Sequence, residues 1–190
     1  MTGERLRERL EILLGNAEAG ERGEPLDILR CHAAGHRLTS LRVCDSPRMA
    51  FQELVEELRD ATRASRVTLR LDSPDAFFAV VAEARAPGVR SIANDTTIDL
   101  RAAPTFEFLE RERRPLVQED LLDADPAPPP ELIEHYGARA QMLAPVVVGD
   151  RLVGIVSIHY APGPRSWSSE EIAALERAAE RVEAELDRTE

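Results

Sequence analysis

Residues 139 to 160 read RAQMLAPVVVGDRLVGIVSIHY and contain two apolar arms joined by the pair Gly149-Asp150. Glycine accepts a positive φ angle without steric cost, so this pair suits a tight hairpin turn. Successive side chains of a strand point to opposite faces, and here both sets of alternate positions are mostly apolar. The segment therefore predicts two adjacent antiparallel strands in a sheet that is covered on both faces.

A two-residue turn also predicts which side chains share a face of this hairpin. Counting outward from the turn places Met142 opposite Ser157, with Ala144 and His159 on the same face. Polar side chains in a buried sheet need partners in the protein or on a ligand. One hypothesis is that Ser157 and His159 contact a bound small molecule, with the two apolar residues as pocket wall. The alternative is that His159 caps a carbonyl near the strand end and that the apolar residues are plain core.

Two earlier segments predict a helix followed by another hairpin. Ser46 suits an N-cap and Pro47 suits the first position of an amphipathic helix that should end near residue 63. Apolar residues then alternate over VTLRL, and a turn around Pro74 leads to a second strand from Phe77. These signals predict a second pair of antiparallel strands.

Residues 87 to 130 contain no long strand, although TFEFLERER predicts a helix and PLVQED a short edge strand. A long irregular connection of this kind is often a binding loop or a lid. Near its start, NDTTIDLR offers Thr97, Asp99 and Arg101 as groups that can grip a polar ligand. The same residues suit a turn and a helix cap equally well. Arg101 fits a carboxylate or a phosphate, because a guanidinium pairs with either.

The last segment has a clear helix start. In WSSEEIAALERAAERVEAELDR, Ser168 and Glu171 have the spacing of a capping box, and Trp167 and Ile172 that of a hydrophobic staple. This predicts that a long helix begins after Ser168. The full order is helix, hairpin, helical crossover, short strand, short helix, hairpin and helix. That order is typical of an α+β fold with a mostly antiparallel sheet.

Three of these segments resemble, in order, the second half of a GAF domain: RRPLVQEDLLDADP, YGARAQMLAPVVVGDRLVGIVSIHY and RSWSSEEIAALERAAERV. The resemblance covers roughly residues 46 to 187. We therefore predict an N-terminal helical extension over residues 1–45 and a GAF domain over residues 46–190. The resemblance implies a central antiparallel sheet with helices packed on one face and a pocket under the crossover on the other.

This resemblance makes a sensory domain that noncovalently binds a small molecule the leading functional hypothesis. Its signal would pass through a homodimer or a separate regulatory protein. One alternative is a ligand-free interaction module whose pocket is filled by its own side chains, and another is a small-molecule enzyme on the same fold. We predict no catalytic residue, no metal and no cofactor. The candidate ligand-binding residues are Thr97, Asp99, Arg101, Met142, Ala144, Ser157 and His159.

The sequence disfavours several ligands of GAF domains. Cys31-His32 is similar to the bilin anchor of GAF photoreceptors, but that anchor lies in the crossover and this pair precedes the predicted first helix. Methionine sulfoxide reductases of this fold need cysteines near the pocket, whereas Cys31 and Cys44 both precede residue 46. The NKxxF...DE pattern of cyclic-nucleotide-binding members is absent. His32 and His36 lack a third ligand nearby, so no metal site is predicted.

Charge and composition exclude other classes of function. A net charge of -11 argues against binding to a nucleic-acid duplex or an anionic membrane, because both require clustered positive charge. All 24 basic residues are arginine, which excludes a Schiff-base or P-loop lysine and is typical of a high-GC bacterium. No apolar run approaches the roughly 18 residues of a membrane span, and no signal peptide is evident. We therefore predict a cytoplasmic protein.

The predicted N-terminal helix gives a testable expectation about assembly. Its stripe of Leu6, Leu10, Leu13 and Leu14 lies outside the predicted domain, and burying each leucine is worth about 1.5 to 3 kcal/mol. The helix can fold back on its own domain, or it can pack against its equivalent and the last helix of a partner, and we expect the second arrangement, a symmetric homodimer. Light scattering on the full chain should give twice the chain mass. A monomeric full-length chain would contradict this, and a dimer that survives truncation to Ser46 would move the interface to the last helix.

Overall fold

The computed structural model describes residues 47–73, 77–95 and 98–188, without the side chains of residues 47 and 48. Several sequence-based expectations lie outside the described residues. They are the N-terminal extension with its leucine stripe, both cysteines, the Ser46 cap and the candidate ligand-binding residue Thr97.

The described residues form four α-helices around a five-stranded antiparallel sheet, which confirms the predicted α+β class. The strand order is β2-β1-β5-β4-β3, so the predicted hairpins are β1-β2 and β4-β5, and β5 lies at the centre. In chain order the elements are α1 (Pro47–Thr62), β1 (Arg66–Leu71), β2 (Ala79–Arg85), a 3-10 turn (Leu100–Ala102), α2 (Pro104–Glu112), β3 (Leu116–Gln118), α3 (Pro130–Glu134), β4 (Ala140–Val148), β5 (Arg151–Tyr160) and α4 (Ser169–Arg188).

The helices α1 and α4 lie together on one face of the sheet, as predicted. Val55 and Leu58 of α1 and Leu175 and Val182 of α4 are all buried in one cluster with the sheet. Removing such apolar area from water stabilises the fold by about 25 cal/mol per Å². The strand residues in this cluster are Val67, Leu69, Leu71, Ala82, Ala84, Ala140, Met142, Ala144, Val146, Val148, Val153, Val156 and Ile158.

The start of α4 is the predicted capping box. The Glu171 backbone N–H donates to Ser168 Oγ at 3.2 Å, and the Ser168 backbone N–H donates to Glu171 Oε2 at 2.9 Å. Trp167 is buried in the cluster between the sheet and the helices α1 and α4, called the α1/α4 cluster below, and Ile172 packs against the same cluster. Two otherwise unpaired backbone donors are therefore satisfied at the end that fixes where α4 joins the sheet.

The β4-β5 hairpin departs from the predicted register after its first two pairs. Val148 pairs with Arg151 next to the turn, as predicted, but Val146 pairs with Gly154. Val153 is therefore an extra residue in β5, which is the definition of a β-bulge.

The bulge changes the predicted face of two of the candidate site residues. Met142 pairs with Ile158 and not with Ser157, and Ala144 pairs with Val156. The prediction that Met142 and Ala144 share a face with Ser157 and His159 is wrong, because a slip of one residue moves a strand's side chains to the other face. Both apolar residues belong instead to the α1/α4 cluster.

Gly154 follows the bulge and pairs with Leu71 of β1, where there is no room for a side chain. A Cβ atom here would lie 2.6 Å from Leu71 Cδ2 and 2.8 Å from the Arg70 carbonyl oxygen. Because that backbone oxygen belongs to a central strand, we expect Gly154→Ala to lower the free energy of unfolding by about 1 to 3 kcal/mol. Chemical denaturation measures this. Gly163→Ala is the matched control, since its Cβ would meet nothing within 4 Å. Equal losses for the two variants would contradict the prediction.

Candidate functional site

A row of polar side chains crosses all five strands on the face opposite α1 and α4. The register pairs Gln118 with Gln141, Gln141 with His159, His159 with Arg66, and Arg66 with Arg85. Directly paired residues of antiparallel strands carry their side chains on the same face. All of them except Arg85 are buried. Polar groups in such a place require partners, so this row is the natural starting point for a binding site.

A small cavity lies against this face, beneath the crossover and α2. Its volume is about 40 Å³, and its polar wall consists of Arg70, Gln141, Ser157, His159 and Thr105. The structure thus brings Ser157 and His159 together at the place where the pocket was expected. The apolar wall comes from the sheet and from the segments above it and consists of Ile92, Ile98, Leu100, Phe106, Leu109, Pro129, Leu132, Leu143 and Ile155.

The end of the row nearest β3 is hydrogen-bonded within the protein. Gln141 Nε2 donates to Gln118 Oε1 at 2.6 Å, and Gln118 Nε2 donates to the Pro126 carbonyl oxygen at 2.7 Å. These bonds fix the orientation of the Gln141 amide where it meets the cavity. A buried hydrogen-bonded pair of this kind is rigid, because moving either amide would leave polar atoms without partners.

The centre of the row is not satisfied in the same way. Within the row, His159 Nδ1 and Arg66 Nε are buried and have no hydrogen-bond partner among the described residues, and the same is true of Thr68 Oγ1 next to the row. Leaving a buried polar atom unpaired costs about 1 to 3 kcal/mol. Thr68 pairs directly with Ser157, so these unpaired atoms lie on neighbouring strands. Of these three side chains, His159 lines the cavity.

The two buried arginines of β1 differ in their partners. Arg66 Nε lies 3.3 Å from Glu83 Oε1, its guanidinium also donates to the Arg90 carbonyl oxygen, and it lies over the Tyr136 ring. Burial lowers the pKa of Arg66, and the Glu83 carboxylate raises it. Its charge is therefore compensated inside the protein.

Arg70 has no comparable ion pair. Its Nη1 donates to the Phe78 carbonyl oxygen at 3.0 Å, and among the described residues no carboxylate lies within ion-pair distance of its guanidinium. Burial lowers the pKa of Arg70 below its ordinary value, while the charges of Asp95 and Glu83 act in the opposite direction. Guanidinium groups nevertheless remain protonated in proteins. Arg70 is thus a buried cation at the wall of the cavity.

His159 is neutral at neutral pH. Burial holds its pKa well below the usual 6.5, and the positive charges of Arg66 and Arg70 lower it further. A neutral imidazole has one nitrogen that donates and one that accepts. The side chain can therefore meet a ligand as a donor or as an acceptor, according to its tautomer.

Two other candidate residues, Asp99 and Arg101, do not line this cavity. Asp99 is exposed, and its Oδ1 accepts the Arg101 backbone N–H at 3.0 Å, so it caps the 3-10 turn. The Arg101 guanidinium lies 4.0 Å from the centroid of the Phe77 ring, in a separate open groove. The alternative interpretation, a turn with a helix cap, accounts for Asp99.

Sequence reasoning missed Arg70 and Gln141. Gln141 was hidden by the bulge, because an unbroken register places it on the other face. Arg70 alternates with apolar residues in VTLRL, a pattern that is also typical of a strand with one solvated face. The available signal was the position of β1 beside an apolar hairpin, since a strand paired with a fully covered hairpin is itself covered on both faces.

Neither a metal centre nor a membrane segment is found in the described ranges. Among residues 47–73, 77–95 and 98–188, no group of three or more His, Cys, Asp or Glu side chains is arranged to hold a metal ion. In the same part of the chain, no helix combines the length and the apolar character that crossing a bilayer requires.

Comparisons with known proteins agree on one family. A family model described as GAF domain matches residues 46–186. The blue-light absorbing form of the Thermosynechococcus elongatus PixJ GAF-domain superposes with a TM-score of 0.63 at 26% identity, covering 75% of this chain and 85% of that one. The cyanobacteriochrome TePixJ GAF domain gives a TM-score of 0.61 at 25% identity, covering 83% of this chain and 97% of that one.

A more distant structure has the same fold. The chromophore-binding domain of the Stigmatella aurantiaca bacteriophytochrome superposes with a TM-score of 0.59 at 19% identity, covering 77% of this chain and 56% of that one. No curated protein matches this chain at a significant level.

The depressed pKa of His159 predicts how stability depends on pH. Because the folded pKa lies below the unfolded value, protonation of His159 does not reduce the stability of the fold above about pH 6.5, and it does so increasingly as the pH falls below that value. The parent should therefore lose up to about 1.4 kcal/mol per pH unit relative to His159→Gln as the pH falls from 6.5. Denaturation curves of both proteins at several pH values measure the difference. A difference that does not change with pH would refute a neutral, buried His159.

Proposed function

The chain belongs to the GAF domain family, and we propose that it is a sensory domain that noncovalently binds a small molecule in the cavity beneath α2. The observation that carries the proposal is the unpaired His159 Nδ1, a buried polar atom on a side chain that lines the cavity. Ligand pockets typically combine an apolar wall with a few convergent polar groups, and this cavity has that composition. A ligand-free module whose cavity is filled by its own side chains gives no reason for a buried imidazole nitrogen to lack a partner.

The ligand that we propose is smaller than a light-absorbing chromophore. The related structures are described as light-absorbing or chromophore-binding GAF domains, which supports small-molecule binding as the class of function. A cavity of about 40 Å³ is far below the roughly 300 to 1,000 Å³ of pockets for drug-sized ligands. Both cysteines of this chain precede the matched segment. We therefore propose a compact ligand held without a covalent bond.

The central strand offers a route for the signal. Along β5, Ser157 and His159 point to the cavity, whereas Val156 and Ile158 belong to the cluster beneath α1 and α4. A ligand that shifts β5 would change the packing under both helices, because close-packed cores transmit small displacements. We propose that α1 and α4 pass this change to a second copy of the chain or to a separate regulatory protein in a bacterial cytoplasm.

Native mass spectrometry tests ligand binding directly. Protein purified from bacterial cells is expected to show a mass above the 21.1 kDa of the chain, and denaturation should remove the excess. Ser157→Leu places a larger side chain in the cavity and should reduce the retained mass. Met142→Leu is the matched control, because Met142 is buried on the opposite face and the change conserves volume. A parent spectrum that contains only the chain mass would contradict the proposal.

A further inference from the structure

The charge at the cavity wall indicates the chemical class of the ligand. Arg70 is 9% exposed, and its only hydrogen bond within the described residues goes to the neutral Phe78 carbonyl oxygen. A guanidinium has five N–H donors, so most of its hydrogen-bonding capacity is unused. Burying a cation without a counter-ion is costly, and burial is favourable only when an anion compensates the charge.

The neighbouring charged groups do not supply that anion. Glu83 lies against Arg66 and also 3.3 Å from Arg85 Nε, so it serves two other guanidinium groups. Asp95 accepts a hydrogen bond from the Tyr136 hydroxyl. These carboxylates act on Arg70 only from beyond ion-pair distance.

The size of the cavity limits the anion. A volume of about 40 Å³ accommodates about three water molecules, which corresponds to a ligand with three or four non-hydrogen atoms. Carboxylates and planar inorganic oxyanions of that size match the fork of a guanidinium, which donates two parallel hydrogen bonds.

We propose, on the basis of the proposed function, that the cavity binds a small oxyanion: a short-chain carboxylate or an inorganic oxyanion. The Arg70 guanidinium supplies the countercharge, and the Ser157 hydroxyl and the His159 imidazole are the hydrogen-bonding groups beside it. All three side chains line the cavity, and all three are buried.

Binding of an anion here is coupled to protonation of His159. The charged groups that act on this imidazole are Arg66 and Arg70 of β1. Glu83 of β2, Tyr136 and Asp95 of the crossover act in turn on these arginines. In the free protein the imidazole is neutral. An anion next to it favours the protonated form, so binding takes up a proton and the affinity rises as the pH falls.

Calorimetric titration of the full chain with acetate, nitrate and acetamide tests the proposal. Acetamide is the neutral match to acetate in shape. We expect acetate or nitrate to bind at least tenfold more tightly than acetamide. Tighter binding of acetate indicates a short-chain carboxylate as the ligand, and tighter binding of nitrate indicates an inorganic oxyanion. One coupled proton makes the affinity rise up to about tenfold per pH unit as the pH falls. Repeating the titration in buffers with different ionisation enthalpies measures the same proton uptake from the heat that each buffer contributes.

Three variants separate the roles of the side chains. Arg70→Gln should bind the anion at least tenfold more weakly. His159→Gln should still bind acetate but lose the pH dependence, which keeps the proposal testable if Arg70→Gln does not fold. Met142→Leu, on the opposite face, should keep both the affinity and the pH dependence.

The possible outcomes distinguish this inference from the function on which it rests. Acetamide binding as tightly as acetate overturns the anion class and leaves small-molecule binding intact. If no probe binds but native mass spectrometry shows a retained mass, the anion class is again overturned and the sensory function stands. If no probe binds and no mass is retained, both proposals fail.

Discussion

One extra residue in the central strand determines which side chains reach the cavity. Val153 forms the bulge, and beyond it Leu143 pairs with Ser157 and Gln141 pairs with His159. The backbone N–H of Val147, at the bulge, donates to Glu183 Oε1 of α4 at 2.6 Å. The helix layer thus supplies a partner for a backbone group where the ladder is disturbed. The polar row on the cavity face therefore depends on the bulge, and a residue of α4 on the opposite face supports that bulge with a hydrogen bond.

The same strand has two environments, and this links the cavity to a helical surface. Residues of β5 that face the cavity alternate with residues that pack under α1 and α4. On their solvent side the two helices are charged and are joined by the ion pair of Arg181 with Glu57 at 2.8 Å. An exposed pair of this kind contributes little stability, so the packing beneath the helices controls their arrangement.

Local signals predicted the elements well, whereas the site needed information that is not local. The capping box of Ser168 and Glu171 and the turn at Gly149-Asp150 involve residues close in sequence, and each prediction agreed with the structure. Ser157 and His159 stand out in the sequence because they interrupt an apolar run. The bulge, in contrast, arises where Gly154 packs against Leu71 and the Arg70 carbonyl oxygen, some eighty residues away in sequence. A pattern within one strand cannot contain that contact, so the register and the roles of Met142 and Gln141 were missed.

An unpaired buried cation also explains how such a domain can respond to a small ligand. In the free protein, Arg70 and the unpaired His159 nitrogen cost stability, because neither finds a full set of partners within the described residues. A ligand that pairs with them adds its binding free energy to the stability of the folded state. Functional sites commonly retain groups that weaken the free protein, because the same groups provide the affinity. Under the proposed function β5 is the element that joins the ligand to the helices, because Ser157 and His159 line the cavity and Val156 and Ile158 pack under α1 and α4.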